Sequence, residues 1–150
     1  MPRTTGSDWF THRLRVRYAE TDQMGVVYHA NYLNWFEQAR TEWTRHHGVT
    51  YRSLEEQGLY LPVVNLTIQY RNAARYDDEI AVNVRVIELT PLRIGFEYNV
   101  FGDETAGTPS LLITGISEHV WVDQEWKPIR LSKVAPDIYQ QFMQAVQEVE

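Results

Sequence analysis

Tyr18-Ala19-Glu20-Thr21-Asp22-Gln23-Met24-Gly25-Val26-Val27-Tyr28-His29-Ala30-Asn31-Tyr32 decides how this chain is read. Up to and into this stretch, Leu14, Val16 and Tyr18 alternate with Arg13, Arg15 and Arg17, the period of a strand with one apolar face. After it, Tyr32, Trp35, Phe36, Ala39 and Trp43 recur at helical spacing. The spacing predicts a strand running into a glycine-bearing loop that ends at a helix, with Asn31 as N-cap and Gly48 as the stop. Backbone N–H groups at a helix N-terminus lack intrahelical acceptors and carry partial positive charge, so they can hold an anion or a polarised carbonyl oxygen. Asp22, held nearby in the loop, supplies a carboxylate that could act as base or nucleophile on such a carbonyl. These parts together suit acyl transfer to water.

Working outward, a short helix is expected over residues 51–57, ended by Gly58. The period then changes from 3.6 to 2. Val64, Leu66, Ile68 and Tyr70 alternate with polar residues, as do Ile80, Val82, Val84 and Val86, and then Ile94, Phe96, Tyr98 and Val100. A further strand is expected from Leu111 to Val122, with Gly115 as a candidate bulge. Turn residues separate these runs at 75–78, at Thr90-Pro91 and at 102–109. From Pro136 to Glu150, Ile138, Phe142, Ala145, Val146 and Val149 mark a terminal amphipathic helix. The order of elements implies an α+β domain spanning residues 1–150, its five-stranded antiparallel sheet curled around one long central helix, with a peripheral C-terminal helix.

Composition narrows the chemistry. With 14 Lys and Arg against 20 Asp and Glu, the net charge is −6, which argues against nonspecific nucleic-acid binding. The chain has no cysteine, so disulfides, thiolate metal sites and cysteine nucleophiles are excluded. None of its serines lies in a Gly-x-Ser-x-Gly elbow, and no phosphate-cradling glycine loop occurs. No apolar run reaches the roughly 20 residues of a membrane span. The first residues lack the apolar core of a secretory signal, so a cytoplasmic location is expected. His46-His47 near Glu42 does not make a metal site, since adjacent helical residues point about 100° apart. No metal and no cofactor is expected.

The motifs Arg17-x-x-Glu20-Thr21-Asp22-x-x-Gly25-Val26-Val27-Tyr28-His29-x-x-Tyr32, Glu37-x-Ala39-Arg40-Thr41-Glu42 and Ala74-x-Tyr76-Asp77-Asp78 continue into a later echo. That echo is Glu118-His119-Val120-Trp121-Val122-Asp123 followed by Lys127-Pro128-x-Arg130-Leu131. Together they resemble the hotdog-fold acyl-CoA thioesterases of the 4-hydroxybenzoyl-CoA thioesterase branch, and within it the Tol–Pal-associated short-chain enzymes. The resemblance covers roughly residues 12 to 135. It implies a hotdog fold, hydrolysis of an acyl-CoA to a free acid and CoA, and assembly into a homo-oligomer, a dimer or tetramer with sites at subunit boundaries. It puts the catalytic carboxylate on Asp22 and the activating backbone N–H near His29. The His29 imidazole could instead hydrogen-bond in the site or merely line the loop.

Glu20 is the rival carboxylate, expected to be solvated or paired with an arginine. Gly25 shapes the loop, and Tyr28 and Tyr32 either border an acyl pocket or pack in the core. Arg71, Arg75, Arg93 and Arg130, with Lys133, are candidates for the CoA phosphates. A noncatalytic acyl-CoA or acyl-carrier-protein binding module is the alternative function, and a hotdog dehydratase would need a histidine-centred motif that is not found here.

Overall fold

The computed structural model describes residues 8–102 and 110–147. Its elements run β1 (Phe10–Arg15), α1 (Asn31–His46), α2 (Tyr51–Glu56), β2 (Val63–Tyr70), β3 (Glu79–Leu89), β4 (Arg93–Phe101), β5 (Leu111–Val120), α3 (Leu131–Val134) and α4 (Pro136–Gln147). The strands form one antiparallel sheet in the order β1-β3-β4-β5-β2. This is the α+β arrangement that the switch of periods predicts. The inward residues of β3 and β4, Ile80 to Val86 and Ile94 to Val100 on alternate positions, meet Trp35, Phe36, Ala39 and Trp43 of α1 in the core. Burial of each large side chain there contributes about 1.5–3 kcal/mol.

Gly115 is not a bulge. It pairs in unbroken register with Ile68 on one side and Tyr98 on the other. A Cβ at that position would lie 2.6 Å from the Phe36 ring, and that ring is stacked on Tyr98 at 4.1 Å. The glycine therefore makes room for α1 to approach the sheet. The irregularities fall elsewhere, between Val63 and Asn65, Val86 and Glu88, and Val100 and Phe101. The first of them brings Val63, rather than Val64, into register with His119 and so onto the inner side of β2.

The first strand ends earlier than its alternation suggests. Val16 is buried, but the chain then enters a 3-10 turn over Tyr18–Glu20 and leaves Tyr18 76% exposed. The cause is Glu20, whose Oε1 accepts the Arg17 N–H at 2.8 Å and whose Oε2 accepts the Trp35 Nε1–H at 2.8 Å. Those bonds draw the carboxylate inward and turn the backbone out of the sheet. Asn31 is the first residue of α1 and not its cap, a position held by Ala30; its side-chain amide donates to the Glu20 carbonyl at 2.8 Å. Gly48 and Gly58, at φ +86° and +76°, end the two helices as expected. The C-terminal helix closes the far end of the core, with Phe142 against Trp121 and Trp43. Apart from Gly102, the turn at 102–109 lies outside the described residues. None of the described helices is long and apolar enough to cross a membrane.

The two free edges of the sheet differ. Along β1 the exposed positions carry Thr11, Arg13 and Arg15, and such charge discourages pairing with another strand. Along β2 six of the eight positions are exposed, including Val63 at 46% and Tyr70 at 49%, and its outer edge pairs with no strand among the described residues.

Candidate active site

Asp22 stands in a tight turn. Its N–H donates to the Val26 carbonyl at 2.9 Å, its carbonyl accepts from Gly25 at 3.0 Å, and Oδ1 accepts the Met24 N–H at 2.9 Å. Gly25 makes the turn possible through its φ of +82°; no atom lies within 4 Å of where its Cβ would be, so the requirement is conformational and not steric. From outside, Val27 N–H donates to Ala74 O and Tyr28 N–H to Glu20 O, each at 2.9 Å. The loop thus hangs between the β2–β3 connection and the entry to α1.

The same loop delivers the start of α1. The His29 carbonyl accepts the Tyr70 hydroxyl at 3.1 Å, while its N–H has no acceptor among the described residues. The imidazole is exposed, 4.5 Å from the Tyr28 ring and edge-on to Tyr70. Tyr32 is buried, and its hydroxyl accepts the Ala74 N–H at 3.1 Å. Burial raises the pKa of this phenol, the Ala74 N–H partly offsets that, and the nearby charge of Asp22 adds to it. Tyr32 therefore remains a neutral hydroxyl beside the carboxylate.

An open cavity of about 370 Å³ joins these groups, with Asp22, Val27, His29, Tyr32, Tyr70 and Arg71 in its wall. Of the residues singled out from the sequence, Asp22, His29, Tyr32 and Arg71 converge there, and Gly25 shapes the loop. Arg75 lies at the rim, its Nη1 reaching the Gly25 carbonyl at 3.5 Å. Tyr28 is 47% exposed and packs on His29 outside the lining. Arg93 and Arg130 lie elsewhere in the chain. Tyr70, at the cavity, pairs with Ile113 of β5, whereas Arg93 pairs with Val120, seven residues further and roughly 23 Å away. Arg130 immediately precedes α3, whose first N–H bonds to Pro91 at the same end. Glu20 is not solvated and does not line the cavity; at 6% exposure it makes the arginine pair, Arg17 Nε lying 3.7 Å from its Oε1, and also accepts the Trp35 indole N–H.

The sequence reading missed Tyr70, Asn72 and Met24 as lining residues. For Tyr70 a signal existed, a hydroxyl-bearing aromatic ending the alternation of its strand, but its placement depends on register with β5. Among the described residues no group of three His, Asp or Glu side chains gathers as a metal site would.

The thioesterase-like superfamily model matches residues 16–142. The chain is 37% identical over 133 residues to the putative acyl-CoA thioesterase YneP of Bacillus subtilis, covering 88% of this chain and 94% of that protein. To the acyl-CoA thioesterase YbgC of Haemophilus influenzae it is 46% identical over 89 residues, 59% of this chain and 65% of that one. Among solved structures, the DHNA-CoA thioesterase of Staphylococcus aureus superposes with a TM-score of 0.86 at 33% identity, over 93% of both chains.

Proposed function

The chain belongs to the thioesterase-like superfamily of hotdog proteins, and from that premise we infer that it hydrolyses acyl-CoA thioesters to a free acid and CoA. In this reading Asp22 is the catalytic carboxylate and the His29 N–H polarises the thioester carbonyl. The observation that carries it is the shared cavity: a carboxylate with one oxygen held by Met24 lines it together with His29, whose N–H has no acceptor among the described residues. As general base, Asp22 takes a proton from water as the water oxygen attacks the carbonyl carbon. As nucleophile, it forms a mixed anhydride that water then opens. In both routes the developing oxyanion accepts the His29 N–H, collapse expels the CoA thiolate, and the thiolate takes up a proton. One well-placed oxyanion donor is worth about 3–4 kcal/mol of barrier.

The active form in this reading is a dimer or a tetramer of dimers. The exposed edge of β2, with apolar Val63, Leu66 and Ile68 beside it, suits pairing with the same strand of a second copy. An antiparallel pairing would bring the Arg93 and Arg130 end of one copy toward the Asp22 end of the other, so those arginines would serve the CoA phosphates across the boundary. A substrate built on CoA fits a cytoplasmic enzyme.

The test is thiol release from a panel of acyl-CoAs, with the wild-type protein and Asp22→Asn side by side. Release by the wild type, sharply reduced in the variant, supports the assignment. Binding of acyl-CoA without release from any member would make the chain a noncatalytic binding module. A monomer in light scattering at micromolar concentration would remove the shared site.

A further inference from the structure

Two hydroxyls stand in the wall of the Asp22 cavity, and they differ in what each has left to donate. Tyr70 gives its hydrogen to the His29 carbonyl at 3.1 Å. Tyr32 uses its oxygen to accept the Ala74 N–H at 3.1 Å, and its own hydrogen has no acceptor among the described residues. The side chain is 2% exposed, so the unspent donor is a buried one. A hydroxyl left in the interior with its hydrogen unbonded is unfavourable unless something completes it. Tyr32 lines the cavity, so an acceptor can reach it from there.

The Ala74 backbone sets that hydroxyl against the loop that carries Asp22 and His29. The Ala74 N–H holds Tyr32 Oη, and the Ala74 carbonyl accepts the Val27 N–H at 2.9 Å. Val27 follows Val26, whose carbonyl accepts the Asp22 N–H, and stands two residues before His29. One residue of backbone therefore separates the phenol from the segment that bears both the carboxylate and the free amide. Ala74 itself is fully buried, while its neighbour Ala73 lines the cavity together with Val27. Tyr32 is also the second residue of α1, so its side chain leaves the same helix entry at which His29 stands. The ring is held edge-on to Trp35 and Tyr70, with centroids 4.9 and 5.9 Å away.

We propose that the Tyr32 hydroxyl is a second donor to the thioester carbonyl, beside the His29 N–H, and so a catalytic residue of this site. A carbonyl oxygen has two lone pairs, and one backbone N–H occupies one of them. As that oxygen gains charge in the tetrahedral intermediate, a phenol already in place strengthens its bond without reorganising. The Ala74 N–H donating into the same phenol oxygen polarises the O–H and makes it a better donor. Burial raises the pKa of the phenol, so its hydrogen is present across the neutral range. That hydrogen stays on Tyr32 from attack to collapse, and the balance of water, acid and CoA thiol is unchanged. The inference rests on the thioester reading of the Asp22 cavity.

The experiment reads the carbonyl directly. Butyryl-CoA and benzoyl-CoA, each isotope-labelled at the carbonyl carbon, are bound to Asp22→Asn, where the expected loss of turnover leaves them intact. Infrared difference spectra then give the carbonyl stretch of the bound thioester. Adding Tyr32→Phe should move that band to higher frequency, because one donor is lost. In the otherwise wild-type chain Tyr32→Phe should lower kcat on the order of 10²-fold, with KM within a few-fold. The same change strips the Ala74 N–H of its acceptor, so a ring-fluorinated tyrosine at position 32 separates the two roles. Its more acidic phenol donates more strongly and accepts more weakly. A band moved to lower frequency, with kcat retained or raised, supports the proposal, and this variant decides should Tyr32→Phe fail to fold. A band that does not fall with the fluorinated ring, or a rise in KM at unchanged kcat in Tyr32→Phe, overturns it while leaving hydrolysis at Asp22 standing. No thiol release by the wild type from any acyl-CoA removes both.

Discussion

Glu20 and Asp22 are two residues apart in one loop, and the fold treats them in opposite ways. Glu20 is turned inward, both oxygens accepting hydrogen bonds from Arg17 and from the Trp35 indole of α1. Asp22 is turned outward, one oxygen held by Met24, in the wall of an open cavity. The same contrast separates His119, fully buried between Ser117 and Leu61, from His29, exposed at the helix entry. A polar group whose bonds are all made within the chain holds the fold together, and one with capacity left over is available to a substrate. Substitutions on the two sides of that division should therefore separate into losses of activity and losses of stability.

The largest effect is expected at Asp22. Asp22→Asn keeps the size of the side chain and removes its charge, so turnover should fall by roughly 10²–10⁴-fold, the contribution of a positioned base. The melting temperature should change little, because Asn Oδ1 still accepts from Met24. Steady-state thiol release and a thermal melt on the same preparation measure the two halves. Near wild-type turnover would place the chemistry elsewhere.

His119 should respond to acid on the stability side alone. Its folded pKa is lowered to about 4 from an ordinary 6.5, so the neutral form is the one the fold requires. Stability from this residue is complete above pH 6.5 and is lost as pH falls toward 4, because the unfolded chain binds the proton first. Across that window the loss is roughly 3 kcal/mol. Denaturant titrations at pH 7 and pH 5 should show the drop in wild type and a smaller one in His119→Gln. Equal drops would mean that other groups control the acid response. Glu20→Ala should cost about 1–3 kcal/mol by leaving the Trp35 N–H buried without an acceptor, with turnover per folded molecule retained.

Much of this division was legible in the sequence, and the failures are instructive. The alternation of Val82, Val84 and Val86 with polar residues and the helical recurrence of Trp35, Phe36 and Trp43 are local patterns, and they yield the sheet and the central helix directly. Asp22 was legible because carboxylate, glycine and helix start follow one another along the chain. For Glu20 the arginine pair was legible and the burial was not, because its other partner Trp35 is 15 residues away and only the folded loop brings the indole to it. The same holds for Gly115, whose reason is the Phe36 ring across the layer, and for Tyr70, whose place depends on strand register. Arg93 and Arg130 looked alike to Arg71 on composition, yet the antiparallel topology carries them to the other end of the sheet.

Gly25 tests whether the loop acts through geometry. Space around its Cβ is open, so a side chain meets only the strain of φ +82°. Gly25→Asn, which tolerates the left-handed region, should fold and turn over nearly as wild type. Gly25→Val should cost about 1–3 kcal/mol in the turn and lower activity accordingly. If the two behave alike, the glycine is not what sets the turn.

The smallest effect is expected at His29, and it is the most discriminating. The backbone N–H remains when the imidazole is removed, so His29→Ala should keep the oxyanion donor and lose less than about tenfold in turnover. The ring packs on Tyr28 and Tyr70 at the surface, so a modest rise in KM from a looser rim is the remaining consequence. His29→Pro, which abolishes the N–H, should by contrast lose on the order of 10²-fold or more. A thermal melt is needed beside it, because a proline there also constrains the entry to α1. Should His29→Ala prove as inactive as Asp22→Asn, with His29→Pro no worse, the imidazole carries the chemistry and the helix N-terminus merely positions it.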